Sequence, residues 1–339
     1  MNDIFRIHAE DSVAVALHDL APGDTAEGSG FSAAVREKVP NGHKLALRRI
    51  EKGESVLKYG WPIGRAKEII EPGCWVHSHN MESQLEGLEH CRYEPQWNDL
   101  EQKPPVCFDG YRRTDGKTGV RNELWILPMV GCVNGLAKQL ERLASSCLPA
   151  GIDGVFAFQH SCGCSQLGDD LRYTQKLLKG LLLHPNAGGV LALCLGCENN
   201  RPEDMQALLG EYDRDRIQFL VCQECEDEIE EGLRILDRLG QYVASFHREP
   251  CPVSSLTVGL KCGGSDGLSG ITANPLIGSF SDWLLSRGGS CVLTEVPEMF
   301  GAERLLMNRC RSKPVFDAAL GLINGFREYF MRYGQPIDE

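Results

Sequence analysis

The chain has 339 residues, of which 42% are hydrophobic and 24% charged, and this composition excludes collagen, coiled coil and disorder. Lysine and arginine number 35 against 47 aspartates and glutamates, so the net charge of −12 disfavours a nucleic-acid partner. No apolar run reaches the roughly 18 residues of a membrane helix, and the N-terminus lacks a signal-peptide pattern. We expect a cytoplasmic protein that acts on a small molecule, without a nucleic-acid or membrane partner. The formation of a homo-oligomer stays open.

The first 85 residues predict a small all-β domain. Short β-type runs (VAVAL, HKLALRRI, SVLKYG and CWVHSH) are separated by the turn signals APGD, PNG, EKGE and EPG. Residues 86–107 contain Pro95, Pro104 and Pro105 and show no sustained hydrophobic period, which is typical of a linker.

Residues 108–339 predict an α/β domain. Apolar runs such as ELWILPMV, GVFAFQH, GGVLALCLG and IQFLVCQ each precede an amphipathic segment, and LTVGLKCGG and SCVLTEV continue the alternation. The last periodic segment, PVFDAALGLINGFREYFMRYG, predicts a terminal helix. The fold class expected is therefore α/β, with a parallel or mostly parallel sheet flanked by helices.

Five polar clusters follow the proposed strands. They occupy residues 131–134, 160–170, 196–200, 261–270 and 294–298. Ligands bind at the carboxyl ends of parallel strands, so we expect the clusters to converge on one sheet edge. In one of them, CGGSDG offers backbone N–H groups to a carboxylate or phosphate, but it matches neither the Walker loop nor GxGxxG.

Cysteine and histidine pairs suggest metal binding without requiring it. Cys194-x2-Cys197 and Cys222-x2-Cys225 have the spacing of a zinc site, but Cys194 lies in an apolar run, where a buried reduced thiol is the favoured interpretation. His77 and His79 share one face of an extended segment, where they are either two exposed histidines or a pair that grips a metal. His160 fits a base, a ligand or a structural residue equally well.

Taken together, the motifs resemble the altronate and galactarate dehydratase family, which includes sulfolactate sulfo-lyases. The resemblance rests on KYGWPIG, VHSHN, GVRNELWILPMVGCVNG, HSCGCSQLGDD, HPNAGGVLALCLGCENN, CGGSDGLSGITANP and LTEVPEMFGAE. It implies an N-terminal SAF (β-clip) domain over residues 1–85, a linker over 86–107 and a dehydratase domain over 108–339. Several motifs resemble the altronate-specific members most.

The resemblance implies a metal-dependent hydro-lyase of hexuronate catabolism that converts D-altronate to 2-dehydro-3-deoxy-D-gluconate and water. The expected cofactor is a divalent metal, Fe²⁺ first and Mn²⁺ second, and the thiols leave an iron–sulfur cluster open. A galactarate or related sugar-acid dehydratase and a catalytically silent ligand-binding fragment are the alternatives. The family's C-terminal region is expected to be missing.

Within this resemblance each candidate residue receives a role. Catalytic roles are expected for His77, His79, His160, Glu295 and Glu298. Substrate contacts are expected from His43, Lys44, Arg121, Asn122, Lys261, Ser265, Asp266, Thr272 and Asn274. The candidate metal ligands are His77, His79, Cys132, Cys164, Cys197 and Cys262.

Overall fold

The computed structural model describes residues 2–85, 87–97, 100–264 and 266–337. The chain forms two compact units. The first comprises residues 1–102, 257–286 and 290–339, and the second comprises residues 103–256 and 287–289. The N-terminal β segment therefore shares a unit with the C-terminal segment. The predicted domain limits at residues 85 and 107 concern independent folding and stay a prediction.

The N-terminal segment is all-β, as predicted. Its strands are β1 Ile4–Phe5, β2 Val13–Ala16, β3 Thr25–Gly28, β4 Phe31–Ala34, β5 Lys44–Ala46, β6 Ser55–Lys58, β7 Trp61–Ala66, β8 Trp75–Val76 and β9 Met81–Glu82. They pair antiparallel in three sheets, β1-β2-β5-β8, β3-β4 and β6-β7-β9. Two small buried clusters, one around Leu45 and one around Val56, stabilise this segment.

The second unit is built on a parallel sheet. Its elements are β10 Cys107–Arg112, β11 Thr118–Gly119, β12 Glu123–Pro128, α1 Asn134–Ala144, β13 Gly154–Ala157, α2 Gly168–Leu182, β14 Ala187–Cys194, α3 Pro202–Leu209, β15 Ile217–Val221, α4 Glu228–Ala244 and β16 Glu249–Pro252. The four-stranded sheet β13-β12-β14-β15 is parallel throughout. A separate antiparallel ribbon, β11-β10-β16, pairs strands from the two ends of this unit.

Alternating side chains of the central strands pack on both faces of the sheet. Leu124 and Ile126 contact the cluster that includes α1 and α4, whereas Trp125 and Leu127 contact the cluster that includes α2 and α3. All residues of β14 are buried, because helices cover this strand on both sides. The α/β fold class and the predicted β–α alternation are confirmed here.

The C-terminal segment forms a second, smaller α/β arrangement. Its elements are β17 Thr257–Leu260, α5 Ala273–Leu285, β18 Ser290–Leu293, α6 Glu303–Met307 and α7 Lys313–Arg332. In the described part of the chain, β17 and β18 pair parallel with each other and not with the four-stranded sheet. The expectation that all five polar clusters meet at one sheet edge is therefore wrong.

The segment predicted as a linker packs against the C-terminal helices. Glu89 and Asn324 exchange two hydrogen bonds, of 2.8 and 3.0 Å, and the Tyr93 hydroxyl donates to the Cys310 carbonyl oxygen at 2.9 Å. Arg327, which is 2% exposed, forms a buried ion pair with Glu303. Residues 87–97 are thus fixed by specific bonds. None of the helices in the described ranges has the length and apolar character needed to cross a bilayer.

Candidate active site

A cavity of ≈ 930 Å³ lies within the first unit. Residues of the β segment and of the C-terminal segment both contribute to its wall. The lining residues include Lys44, Tyr59, Trp61, Lys67, His77, Ser78, Asn274, Glu298, Phe300 and Leu305. Of the predicted site residues, Lys44, His77, Asn274 and Glu298 meet here.

Strand pairing places Lys44 beside His77. Lys44 opens β5 and is paired with Val76, the last residue of β8, which His77 follows directly. The Asn80 side chain accepts a hydrogen bond from the His77 N–H at 3.0 Å and donates to the Trp75 carbonyl oxygen at 2.9 Å. Because Asn80 is only 5% exposed, the turn that presents His77 is held from inside the domain.

Three histidines surround Trp75. The Trp75 ring lies 5.1 to 5.3 Å, centroid to centroid, from the rings of His43, His77 and His79. The indole N–H of Trp75 donates to His43 Nδ1 at 3.2 Å, and His77 Nδ1 is 2.9 Å from Ser78 Oγ. The Trp75 ring and these bonds fix the imidazoles of His43 and His77.

The surroundings of His77 favour its neutral form. Burial lowers the pKa of His77, and the nearby groups His43, Lys44 and His79 lower it further. Burial also lowers the pKa of Lys44, with a second contribution from Lys58. Near neutral pH, His77 is therefore an uncharged imidazole that can accept a proton.

A chain of charged groups reaches the cavity from the C-terminal segment. Lys261 follows β17 and Glu295 follows β18, so their parallel pairing brings the Lys261 ammonium within 2.8 Å of Glu295. This ion pair and a hydrogen bond with Glu298 lower the pKa of Glu295. Glu298 lines the cavity, whereas Lys261 and Glu295 are not among the lining residues. Two carboxyl groups in hydrogen-bond contact share a proton, which makes Glu298 a candidate acid.

In the glycine-rich segment after β17, polar side chains form hydrogen bonds with the backbone of the same segment. The Asp266 carboxylate accepts hydrogen bonds from the N–H groups of Leu268 and Ser269 at 2.7 and 2.9 Å. The Thr272 hydroxyl donates to the Leu268 carbonyl oxygen at 3.0 Å. Asp266 and Thr272 therefore shape this segment. Ser265 lies outside the described residues, and Cys262 is exposed.

In the second unit, three predicted loops meet at the carboxyl edge of the four-stranded sheet. Gly131 N–H donates to the Cys162 carbonyl oxygen at 2.8 Å. Asn134 and the His160 backbone exchange two hydrogen bonds of 2.9 Å each. Asn199 N–H donates to the Cys164 carbonyl oxygen at 3.0 Å. The structure thus brings the clusters at 131–134, 160–170 and 196–200 together, as the topology of a parallel sheet requires.

The polar groups at this edge are largely used to hold the loops. The buried Glu198 carboxylate accepts from the N–H groups of Leu195 and Gly196 at 3.0 and 2.5 Å. The Cys162 N–H donates to His160 Nδ1 at 3.0 Å, and burial lowers the pKa of His160. Its Nε2 atom is buried and finds no hydrogen-bond partner in the described ranges. Cys132 and Cys197 are exposed thiols, and Cys164 is half-buried.

Arg121 and Asn122 lie at the opposite end of β12, before its first residue. Asn122 is fully buried, accepts a hydrogen bond from Arg113 at 2.8 Å and donates to the carbonyl oxygens of Gly151 and Val243. Arg121 is 4.0 Å from Glu123. Within the second unit, β12 separates both residues from the sheet edge where the loops meet. Asn122 therefore holds the backbone around it, and its expected contact with the substrate stays a prediction.

The donor side chains form no complete set of metal ligands in the described part of the chain. Among the described residues, no group of three or more histidine, cysteine, aspartate and glutamate side chains is placed to hold one. Lys44, whose charge lowers the pKa of His77, would also repel a cation there. Cys194 is fully buried within β14, as its apolar run predicted, and burial raises its pKa. All fifteen cysteines are free thiols.

Sequence reasoning missed three residues of the cavity region. Lys67 donates to the Ser78 carbonyl oxygen at 2.6 Å, Trp75 contacts the three histidines, and Tyr59 lines the cavity wall. The motifs KYGWPIG and CWVHSH contain Tyr59 and Trp75. A tyrosine followed directly by glycine was the available signal for Tyr59, since a two-residue hairpin loop favours Asn and Gly.

Comparison with known protein families accounts for almost the whole chain. Residues 2–84 match the altronate/galactarate dehydratase SAF domain. Residues 110–244 match the second domain of D-galactarate dehydratase/altronate hydrolase, and residues 253–339 match the D-galactarate/altronate dehydratase C-terminal domain. The C-terminal domain of the family is therefore present in residues 253–339, and the expectation that this domain is missing is wrong for these residues.

Curated relatives agree with these profiles. The altronate dehydratase of Escherichia coli (strain K12) is 49% identical over 98% of this chain and 68% of its own length. The altronate dehydratase of Bacillus subtilis (strain 168) is 45% identical over 100% of this chain and 69% of its own length. The L-threo-forming galactarate dehydratase of E. coli is 31% identical over 91% of this chain and 62% of its own length. The chain therefore belongs to the D-galactarate and altronate dehydratase family and is a hydro-lyase.

Proposed function

We propose that the chain dehydrates a sugar acid and that its substrate is D-altronate, which becomes 2-dehydro-3-deoxy-D-gluconate in hexuronate breakdown. Two relatives named altronate dehydratases, at 49% and 45% identity, support this choice over galactarate, whose named dehydratase is 31% identical. The observation that carries the proposal is the cavity in which a cation, a neutral imidazole and a carboxyl group meet, namely Lys44, His77 and Glu298.

Lys44 binds the substrate carboxylate in this proposal. Its ammonium lines the cavity, and Lys67 is already engaged by the Ser78 carbonyl oxygen. An anion bound beside Lys44 favours the charged ammonium, which opposes the effect of burial. The paired charge also stabilises the negative charge that develops on the carboxylate when the neighbouring carbon loses its proton.

His77 acts as the base and removes the proton from C2. Its lowered pKa keeps the imidazole unprotonated near neutral pH. Ser78 Oγ lies 2.9 Å from Nδ1, and this contact leaves Nε2 for the substrate. The electron pair of the broken C–H bond moves into the carboxylate-stabilised enediolate.

Glu298 acts as the acid at C3. The C3–O bond breaks, and the departing hydroxyl takes the proton that Glu298 shares with Glu295, so that water leaves. Loss of this proton leaves both Glu298 and Glu295 as carboxylates, and the ion pair between Lys261 and Glu295 offsets part of the negative charge. The resulting enol takes a solvent proton at C3 and becomes the 2-keto acid, and the substrate's C2 proton stays with His77 until it exchanges with solvent.

A divalent metal, Fe²⁺ or Mn²⁺, stays a prediction that follows from the family resemblance alone. The described side chains offer no complete ligand group, so no step above uses one. Metal analysis of anaerobically purified protein, together with a search for acid-labile sulfide, decides between a mononuclear metal, an iron–sulfur cluster and no bound metal.

The test of the proposed function is an assay for 2-keto acid formation with D-altronate, galactarate and sulfolactate as a panel, run in deuterated water. We expect turnover of D-altronate and one deuterium at C3 of the product. If the enzyme preferred galactarate or sulfolactate, that acid would take the place of D-altronate as the proposed substrate. Binding of D-altronate without turnover by the intact chain, or a product with no deuterium at C3 at early times, would contradict the proposed reaction.

A further inference from the structure

The hairpin between β6 and β7 has an unusual loop. Lys58 pairs with Trp61, so the loop consists of Tyr59 and Gly60 alone, and their φ angles are +64° and +76°. Two-residue loops of this kind favour Asn-Gly, because a side chain at positive φ meets its own backbone. Tyr59 is the single non-glycine residue with a positive φ in the described ranges. Such strain on a bulky residue often marks a functional position.

Contacts from behind the loop hold this conformation. The Asp11 carboxylate, which is 5% exposed, accepts a hydrogen bond from the Gly60 N–H at 2.7 Å. A β-carbon on Gly60 would lie 3.0 Å from the His8 ring, so glycine is required there for space as well as for φ. The Lys58 ammonium lies 4.6 Å from the centre of the Tyr59 ring. The loop therefore presents the tyrosine in one direction.

The hydroxyl and the adjoining edge of the Tyr59 ring touch the glycine-rich segment of the C-terminal part. A β-carbon on Gly270 would overlap the Tyr59 hydroxyl oxygen, and Gly270 does not have a positive φ. The close approach of Tyr59, and not backbone strain, is thus the reason for glycine at position 270. A second contact of the same kind joins Gly267 to the carbonyl oxygen of Gly42.

The segment touched by Tyr59 leads directly to the cavity wall. The Asp266 carboxylate and the Thr272 hydroxyl bond to the backbone of residues 268 and 269, so residues 266–272 form one hydrogen-bonded unit. Helix α5 begins at Ala273, and its second residue, Asn274, lines the cavity. Three residues, 271–273, separate Gly270 from Asn274, so we expect a displacement at Gly270 to reach Asn274.

We infer that Tyr59 is a positioning residue of the dehydratase site: its ring fills the space over Gly270 and fixes the segment that places Asn274 in the cavity wall. This inference rests on the proposed function for its kinetic consequence. Its structural consequence, protection of residues 266–272, does not depend on which acid the enzyme uses. The chain keeps a strained tyrosine at this loop because asparagine or glycine would leave Gly270 without its contact.

The test compares Tyr59→Asn with Tyr59→Phe. Asparagine suits the positive φ, so Y59N keeps or raises the melting temperature while it removes the ring. We expect kcat/KM of Y59N to fall about 100-fold, mainly in kcat, because small displacements in a site carry large rate penalties. Y59F keeps the ring and stays within about threefold of the unmodified enzyme. Hydrogen–deuterium exchange at residues 266–272 should accelerate in Y59N and not in Y59F.

A double-substitution cycle adds a second, independent measurement. Gly270→Ala should lower kcat/KM in the unmodified chain, because the methyl group collides with Tyr59, but it should have little further effect in Y59N, where the space is vacant. Gly278→Ala in α5 is the matched control, since no atom lies within 4 Å of its added carbon.

Two results would overturn the inference. One is a Y59N variant with unchanged kinetics and unchanged exchange at residues 266–272. The other is an equal effect of Gly270→Ala with and without Tyr59. If the unmodified enzyme dehydrates no acid of the panel, the proposed function fails, while the exchange experiment still decides whether Tyr59 orders the segment.

Discussion

The cavity of the first unit and the sheet edge of the second unit contain the same kinds of polar residues, but the side chains have different partners in the two regions. At the sheet edge, Glu198, Asn134 and the His160 Nδ1 atom bond to backbone groups of neighbouring loops. In the cavity, Lys44, His77 and Glu298 line open space. Both regions look functional in the sequence, but, of the two and among the residues that the structure describes, it is the cavity in which a cation, an imidazole and a carboxyl group line open space together.

This difference separates polar residues that build loops from those that can meet a ligand. A parallel sheet brings loops together at its carboxyl edge whether or not a ligand binds there, and the loops must satisfy their own backbone groups. The lowered pKa of His77, by contrast, results from burial and from three cationic or partly cationic neighbours. A titratable group that lines a cleft and has a shifted pKa is a stronger indication of a catalytic site than a polar group that only holds a loop.

The largest expected effect is the loss of His77. His77→Ala should lower kcat for dehydration by about 10³-fold, since it removes the proposed base. His18→Ala is the matched control, because His18 is an exposed histidine of the same β segment that pairs with Asp3 at 2.9 Å. A 2-keto acid assay on both variants checks this. Full activity of His77→Ala would move the chemistry out of the cavity.

Asn122 should affect stability and not catalysis. Asn122→Ala leaves the Arg113 guanidinium and two carbonyl oxygens without their partner, which should lower the free energy of unfolding by about 3 kcal/mol. Urea unfolding measures this, with the exposed Asn41→Ala as the control. If the folded variant lost activity without losing stability, the sequence-based assignment of Asn122 to the substrate would be restored.

Substitution of Glu298 and substitution of Glu295 should lower kcat by different factors, although the two carboxyl groups are in contact. Glu298→Gln should lower kcat about 100-fold because the acid faces the cavity, whereas Glu295→Gln should cost about tenfold or less because Glu295 acts through Glu298. Steady-state kinetics with D-altronate separates the two. Equal losses would show that the pair acts as one unit.

The smallest effect concerns pH. Because the pKa of His77 lies below its usual value, kcat/KM should fall only as the pH drops through that lowered pKa, where the base becomes protonated. Lys44→Met also removes the proposed carboxylate contact and so should lower kcat/KM at every pH. Because it removes one of the charges that lower the pKa of His77, the acid limb of the profile should in addition move to higher pH. Lys52→Met, an exposed lysine of another turn, should leave the limb in place. An unchanged limb in Lys44→Met would remove His77 as the titrating base.

Hydrophobic periodicity predicted the elements well and their association poorly. The runs ELWILPMV and GGVLALCLG became the adjacent strands β12 and β14, because burial on both faces leaves a continuous apolar pattern. That pattern does not indicate which strands pair, and the sequence therefore predicts β17 and β18 in one parallel sheet with β12 and β14. In the structure they pair with each other, and their segment shares a unit with the N-terminal β strands.

The candidate site was predictable in part for a similar reason. The pairing of β5 with β8 brings GHK beside VHSHN, and the sequence motifs named both. Asn122 illustrates what a motif cannot predict. A polar residue within a motif can bind a substrate or satisfy buried backbone groups, and only the residues around it in the structure distinguish these two roles. Tyr59 was missed because its importance depends on a contact with Gly270, which is distant in sequence.

The most direct test of the central claim is where the substrate binds. Hydrogen–deuterium exchange of the His77→Ala variant, with and without saturating D-altronate, reports this without turnover. We predict slower exchange at residues 75–84 and 296–302, which include cavity-lining residues, and little change at 130–134, 160–166 and 195–200. Slower exchange confined to the sheet-edge loops would contradict the assignment of the active site to the cavity.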